Sequence, residues 1–158
     1  MTNSPEQPAR RSRTIARVAA VQALFQCEQS GDNAETVVDQ FIRHRKITPG
    51  ASFEDGHIPD ADLKLFQDIV RTTTWNQDEI DKTIVAALPE TWNITRLDPV
   101  LRALLRAGAY EILKTDVPGR VIINEYLDVA HGFFSGDEPR MVNGLLDTLN
   151  RNKAAANN

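Results

Sequence analysis

A chain of 158 residues is long enough for one domain or two small subdomains with a real core, and too short for a large catalytic barrel. Its 41% hydrophobic and 25% charged residues are ordinary for a globular protein. A net charge of −4 excludes a surface that coats nucleic acid everywhere, so any such site must be a local basic patch on an acidic body. The single cysteine, Cys27, excludes an intrachain disulfide and a cysteine-built metal cage, and suits a reducing compartment.

Met1 to Ala9 holds two prolines among mostly polar residues and is expected to be a disordered lead-in. From Arg10 to about Gln29 there is neither proline nor glycine, and helix formers dominate. Gly31-Asp32-Asn33 is a stop followed by a cap, so a second helix is expected from about Ala34 to Lys46, with Val37, Val38, Phe41 and Ile42 at helical spacing. Thr48 to Pro59, with two prolines and two glycines, is the one long loop. Asp60 or Asp62 can cap a third helix carrying Leu63, Phe66, Ile69 and Val70, which ends near Thr72-Thr73-Thr74. Asn76 to Leu88 reads as a fourth, with Ile80, Ile84 and Leu88 four apart, and Pro89 stops it. A fifth runs from Arg96 or Asp98 to Lys114, and a sixth from Val121 to Phe134. A seventh, capped at Asp137 with Pro139 just inside, reaches about Asn150. No alternating strand pattern of useful length occurs, so the fold class is all-α with about seven helices.

The first helix carries the most pointed feature. At 3.6 residues per turn Arg10, Arg13 and Arg17 share one side, and the same side continues into Val21 and Leu24. A helix whose second half packs while its first turns project would hold these guanidiniums in solvent, joined by Arg11. Four arginines at a helix N-terminus oppose its dipole. A phosphate backbone removes that penalty and accepts bidentate hydrogen bonds from arginine. A solvated basic end with no ligand fits the same residues, and both readings stand. Arg102 and Arg106, one turn apart on the polar side of the fifth helix, divide equally between a solvated face and a contact with RNA or a partner. On that helix's broad apolar face, Gly108 costs roughly 1 kcal/mol of helix propensity relative to alanine, a sacrifice expected where a neighbouring helix approaches closely.

Four stretches carry a family resemblance. They are Leu101-Arg-Ala-Leu-Leu-Arg-Ala-Gly-Ala-Tyr-Glu, Asp116-Val-Pro, Val121-Ile-Ile-Asn-Glu and Met141-Val-Asn-Gly-Leu-Leu-Asp. Together with Arg17-Val-Ala-Ala-Val-Gln-Ala-Leu-Phe in the first helix, they resemble the NusB family from Arg10 to about Leu149. The resemblance implies an all-helical NusB-like fold of two small packed bundles, with the expected division at 10–88 and 89–150 and a frayed tail at 151–158. It implies a non-enzymatic RNA-binding factor in transcription antitermination and ribosomal RNA synthesis. Such a factor pairs with the ribosomal protein NusE on single-stranded boxA RNA, within an antitermination complex with RNA polymerase.

The family's arginine-rich start falls on Arg10, Arg11, Arg13 and Arg17, and Arg106, Glu111, Asn124, Glu125, Asn143 and Gly144 match its remaining motif positions. Asn124 is read as a packing or loop-tying hydrogen-bonding residue, and Gly144 as a close-packing one. Asp147, one turn from Asn143, is placed at the RNA surface alongside Arg102 and Arg106. Two departures from the family are the length of Thr48 to Pro59 and the lack of a glycine in Arg71-Thr-Thr-Thr-Trp75. Trp75 and Trp92 are expected to be partly buried packing residues, with base stacking the lesser reading.

Several chemistries find no support. His44, His57 and His131 have no metal-ligand spacing with each other or with Cys27. There is no phosphate loop, dinucleotide fingerprint or nucleophile elbow, and Glu54 and Asp55 lie together in the long loop as solvated acids. No enzyme, cofactor, metal or small-molecule substrate is expected. No apolar run is long enough to span a bilayer, and Gln22, Gln26 and Glu28 interrupt what would be a signal-peptide core. A cytoplasmic location follows as the expectation, while the arginine-rich start also has the composition of a transit peptide. NusB-like domains also occur at the N-terminus of ribosomal RNA cytosine methyltransferases. A chain ending after the seventh helix, without an α/β cofactor domain, favours the free factor. A protein-only helical adaptor whose arginines meet an acidic partner is the third alternative.

Overall fold

The computed structural model describes residues 6–43, 47–48, 58–59 and 62–157. Among them are seven α-helices, one 3-10 turn and a two-residue strand pair, divided into one compact unit of Met1–Arg71 and another of Thr72–Asn158.

In the first unit, α1 spans Glu6–Ser30. It starts inside the expected lead-in because Pro8 stands in its first turn, where a missing N–H breaks no helical bond. Residues 1–5 lie outside the described residues. Ala16, Ala19, Ala20 and Ala23 make a small-residue buried face, extended by Val21 and Leu24. The helix ends where Gly31 turns left-handed at φ 77°, its N–H bonding the Cys27 carbonyl.

Asn33 caps α2 (Ala34–Arg43), its Oδ1 accepting the Thr36 N–H at 2.9 Å. Residues 44–46, the expected end of this helix, lie outside the described residues, as do 49–57 with Glu54, Asp55 and His57. The ends of the long loop are joined in parallel, Ile47 opposite Ile58 in β1 (Ile47–Thr48) and β2 (Ile58–Pro59). Asp62 caps α3 (Leu63–Trp75) by accepting the Leu65 N–H, and its own N–H bonds the Ser12 carbonyl of α1. Phe41 and Phe66 meet with ring centroids 5.7 Å apart. Arg71 grips Glu35 through two bonds of 2.6 and 2.9 Å, and that hydrogen bonding holds its guanidinium above its ordinary pKa.

The second unit opens within α3, so the division falls after Arg71 rather than at the expected 88/89. The reason is α4 (Gln77–Ala87), whose Ile80 and Ile84 are buried as the helix packs on α5 (Pro99–Lys114) and α7 (Glu138–Ala156). A fourth helix assigned by sequence to the first bundle thus belongs to the second. Asp98 caps α5 by accepting the N–H groups of Val100 and Leu101 at 2.8 and 3.3 Å, with Pro99 as the first helical residue.

Against α5 pack α6 (Gly119–Phe133) and α7. A Cβ placed on Gly108 would lie 3.1 and 3.2 Å from the Leu146 methyls and 3.5 Å from the Tyr126 ring, so this glycine does serve a close helix approach. The far end of α7 does not fray after Asn150. Lys153 donates to the Ile112 and Thr115 carbonyls at 2.6 and 3.0 Å, closing the C-terminus of α5 and tying the last turns down. Asp137 precedes α7 as expected, but its side chain makes no capping hydrogen bond. Trp92 is half-buried, whereas Trp75, expected to pack, is 70% exposed.

Candidate nucleic-acid interface

The arginine stripe divides in two. Arg10, Arg11 and Arg13 are exposed on the first turns of α1, but Arg17 is only 2% exposed, which corrects its placement in solvent. Burial along α1 begins at Ala16, so a side chain one turn beyond Arg13 has already entered the packed part of the rod. A guanidinium is too costly to bury unpartnered, and Arg17 is engaged within the chain. The rim is held by the Asp62–Ser12 backbone bond, which docks the entry to α3 against the basic turns.

Arg102 and Arg106 also leave the expected set. The Arg106 Nε and Nη2 donate to the Asp81 carboxylate at 2.8 and 2.9 Å, with the arginine side chain only 11% exposed. Arg102 Nη1 donates to the carbonyls of Ile94 and Leu97 at 2.9 and 3.0 Å, bracing the 3-10 turn Ile94–Arg96 against α5. Both spend their donors on the unit's own architecture. Asp147 is half-exposed and pairs with Arg151 at 3.2 Å.

The motif residues sort by burial. Glu111 is fully buried and accepts the Tyr126 hydroxyl proton at 2.6 Å, linking α5 to α6, and Glu125 is 5% exposed. Asn124, Asn143 and Gly144 are instead exposed, which overturns the packing roles expected of Asn124 and Gly144. A Cβ on Gly144 would meet nothing within 4 Å. Beside Asn143 a groove of about 410 Å³ lies between α6 and α7, lined among others by Leu127, His131, Phe134, Asp137 and Arg140. Sequence reasoning passed over His131 and Arg140. Their spacing carried the signal: Asn124, Leu127 and His131 share one side of α6, as Arg140, Asn143, Gly144 and Asp147 share one side of α7. A second groove of about 470 Å³ is lined by Glu90, Trp92, Arg96, Asp98 and Glu138 among others.

Among the described residues no cluster of His, Cys, Asp and Glu could hold a metal ion, and no helix is long and apolar enough to cross a membrane. The fold is that of a small helical protein, with seven α-helices among the described residues. A family model described as the NusB family matches residues 14–151, and the chain belongs to the NusB family. It is 72% identical over 152 residues to the transcription antitermination protein NusB of Gluconobacter oxydans, covering 96% of this chain and 94% of that one. It is 60% identical over 144 residues to the protein of that name from Granulibacter bethesdensis, covering 89% and 88%. Among solved structures, T. maritima NusB superposes with a TM-score of 0.68 at 27% identity, over 88% of this chain and 90% of that one. The solution structure of NusB from Aquifex aeolicus, at 24% identity, shares the fold with a TM-score of 0.69 over 94% and 93%.

Proposed function

We propose that this protein is a cytoplasmic transcription antitermination factor. In this reading it binds single-stranded boxA-type RNA through Arg10, Arg11 and Arg13, and pairs with NusE in a complex with RNA polymerase. The observation that carries the reading is the exposure of these three arginines together at the start of α1. Three clustered guanidiniums repel one another, and RNA phosphates would offset that repulsion while accepting forked hydrogen bonds. The near relatives bearing the name of a transcription antitermination protein support the biological setting. Arg17, Arg102 and Arg106 act as structural residues in this reading, because Arg17 is buried and engaged within the chain and the other two bond inside their own unit.

The body's net charge of −4 repels RNA away from the patch, so the protein alone binds modestly. A basic ribosomal protein docked alongside would supply further phosphate contacts.

Salt dependence tests the site. Each phosphate neutralised on a single strand contributes about −0.7 to the slope of log K against log salt, so changing Arg10, Arg11 and Arg13 together to Ala flattens the slope by about 2. An unchanged slope would place the RNA elsewhere. Equal affinity for boxA RNA and a matched polyanion would favour a protein-only adaptor.

A further inference from the structure

We infer that Asp62, at the entry to α3, is a positioning residue for the RNA site: it holds the arginine-bearing turns of α1 in helical form through the Ser12 carbonyl. The inference rests on the RNA-binding reading above and adds to it what keeps Arg10, Arg11 and Arg13 arranged before any RNA arrives.

Those turns are poorly placed to support themselves. Among the described residues, full burial along α1 begins at Ala16, while Arg10, Arg11 and Arg13 are exposed. Arg10 and Arg13 stand three residues apart on one side, where like charges destabilise a helix. Helical stability in proteins comes mostly from tertiary contacts rather than from propensity, so exposed end turns of this kind fray unless something outside the helix holds them. Fraying would scatter the three guanidiniums, and RNA would then bind only the fraction of molecules that has them in place.

The support comes from α3. Ser12 stands between Arg11 and Arg13, and its carbonyl accepts the Asp62 N–H at 3.2 Å. An α-helix already directs the N–H four residues on to that carbonyl, so Asp62 takes up its second lone pair. Capping α3 does not require this bond, because a cap acts through its side-chain oxygen and its carbonyl. Both of those are also engaged here: Oδ1 accepts the Leu65 N–H at 2.9 Å, and the carbonyl accepts the Phe66 N–H at 2.9 Å. Phe66 is 0% exposed and meets Phe41 of α2, which anchors the first turn of α3 in the core of the unit. Just ahead of Asp62, β2 also lies against α1. A continuous path therefore runs from the Phe41–Phe66 pair, through the Asp62 cap, to the backbone between Arg11 and Arg13.

The test uses the full chain, amide hydrogen exchange and a boxA-type single-stranded RNA. Losing a cap shifts a local folding equilibrium about fivefold. In Asp62→Ala, exchange across Arg10 to Ala16 should quicken by about that factor, and RNA affinity should fall about two- to fivefold. Asp62→Asn keeps the acceptor and should restore both. Asn33→Ala is the control, because it removes a cap of the same kind from α2, where Oδ1 accepts the Thr36 N–H at 2.9 Å. It should lower stability while leaving exchange in the arginine turns and RNA affinity as in the parent. Equal RNA affinity in the two alanine variants, or unchanged exchange of the arginine turns in Asp62→Ala, would overturn the inference. Tighter RNA binding by Asp62→Ala would do the same, since it would mark Asp62 as no more than a repelling charge, as would an asparagine variant no better than the alanine one. The RNA reading fails separately: there the triple arginine variant leaves the salt slope unchanged, whatever Asp62 does to exchange.

Discussion

Alanine at Gly108 and at Gly144 should have different consequences although both positions lie in helix interiors. Each substitution gains about 1 kcal/mol of helix propensity. At Gly144 nothing within 4 Å opposes it, so the whole gain appears as stability. For a chain of this size that raises the melting temperature by about 2–4 °C. At Gly108 the new methyl would sit 3.1 and 3.2 Å from the two Leu146 methyls, closer than ordinary contact. Leu146 projects from α7 toward Gly108 of α5 and is 0% exposed, so its methyls have little room to move aside. The crowding offsets the propensity gain, and Gly108→Ala should leave stability near the parent's or below it. Gly108→Leu has no such compensation and should cost about 1–3 kcal/mol through overpacking. Thermal melts of the four proteins by far-ultraviolet circular dichroism, with urea titrations for the free energies, give the comparison. Equal stabilisation by the two alanines, or a leucine variant that melts with the parent, would refute the close packing of α5 against α7.

Asp81→Ala should destabilise the second unit by about 1–3 kcal/mol, because it removes the bidentate partner of a largely buried Arg106. It should leave the salt slope of RNA binding unchanged, and a flattened slope would return Arg106 to the interface. Cys27 should alkylate slowly near neutral pH. Burial, and secondly the Asp32 carboxylate, push its thiol pKa up, so less thiolate is present at any given pH. Iodoacetamide rates at pH 8 should be lower for the folded protein than for the chain in urea, and Asp32→Asn should raise the folded rate. Equal folded and unfolded rates would refute the shift.

Much of this molecule is local and therefore legible in its sequence. The 3.6-residue period identified the seven helices found among the described residues, and the caps at Asn33, Asp62 and Asp98 stand where short polar side chains precede apolar stripes. Gly108 announced its tight neighbour because a glycine amid a leucine stripe has few other uses. Periodicity specifies which residues share a side of a helix, but not how far along that side solvent extends. Arg13 and Arg17 share one side of α1, and only the packing around α1 decides that one is exposed and the other buried. The partners of Arg106 and Glu111 are likewise tertiary, lying 25 and 15 residues away on other helices. The hairpin of α6 and α7 decides the rest. A motif such as Asn143-Gly144 looks the same in sequence whether it packs or faces water, and only the placement of neighbouring helices leaves its backbone open.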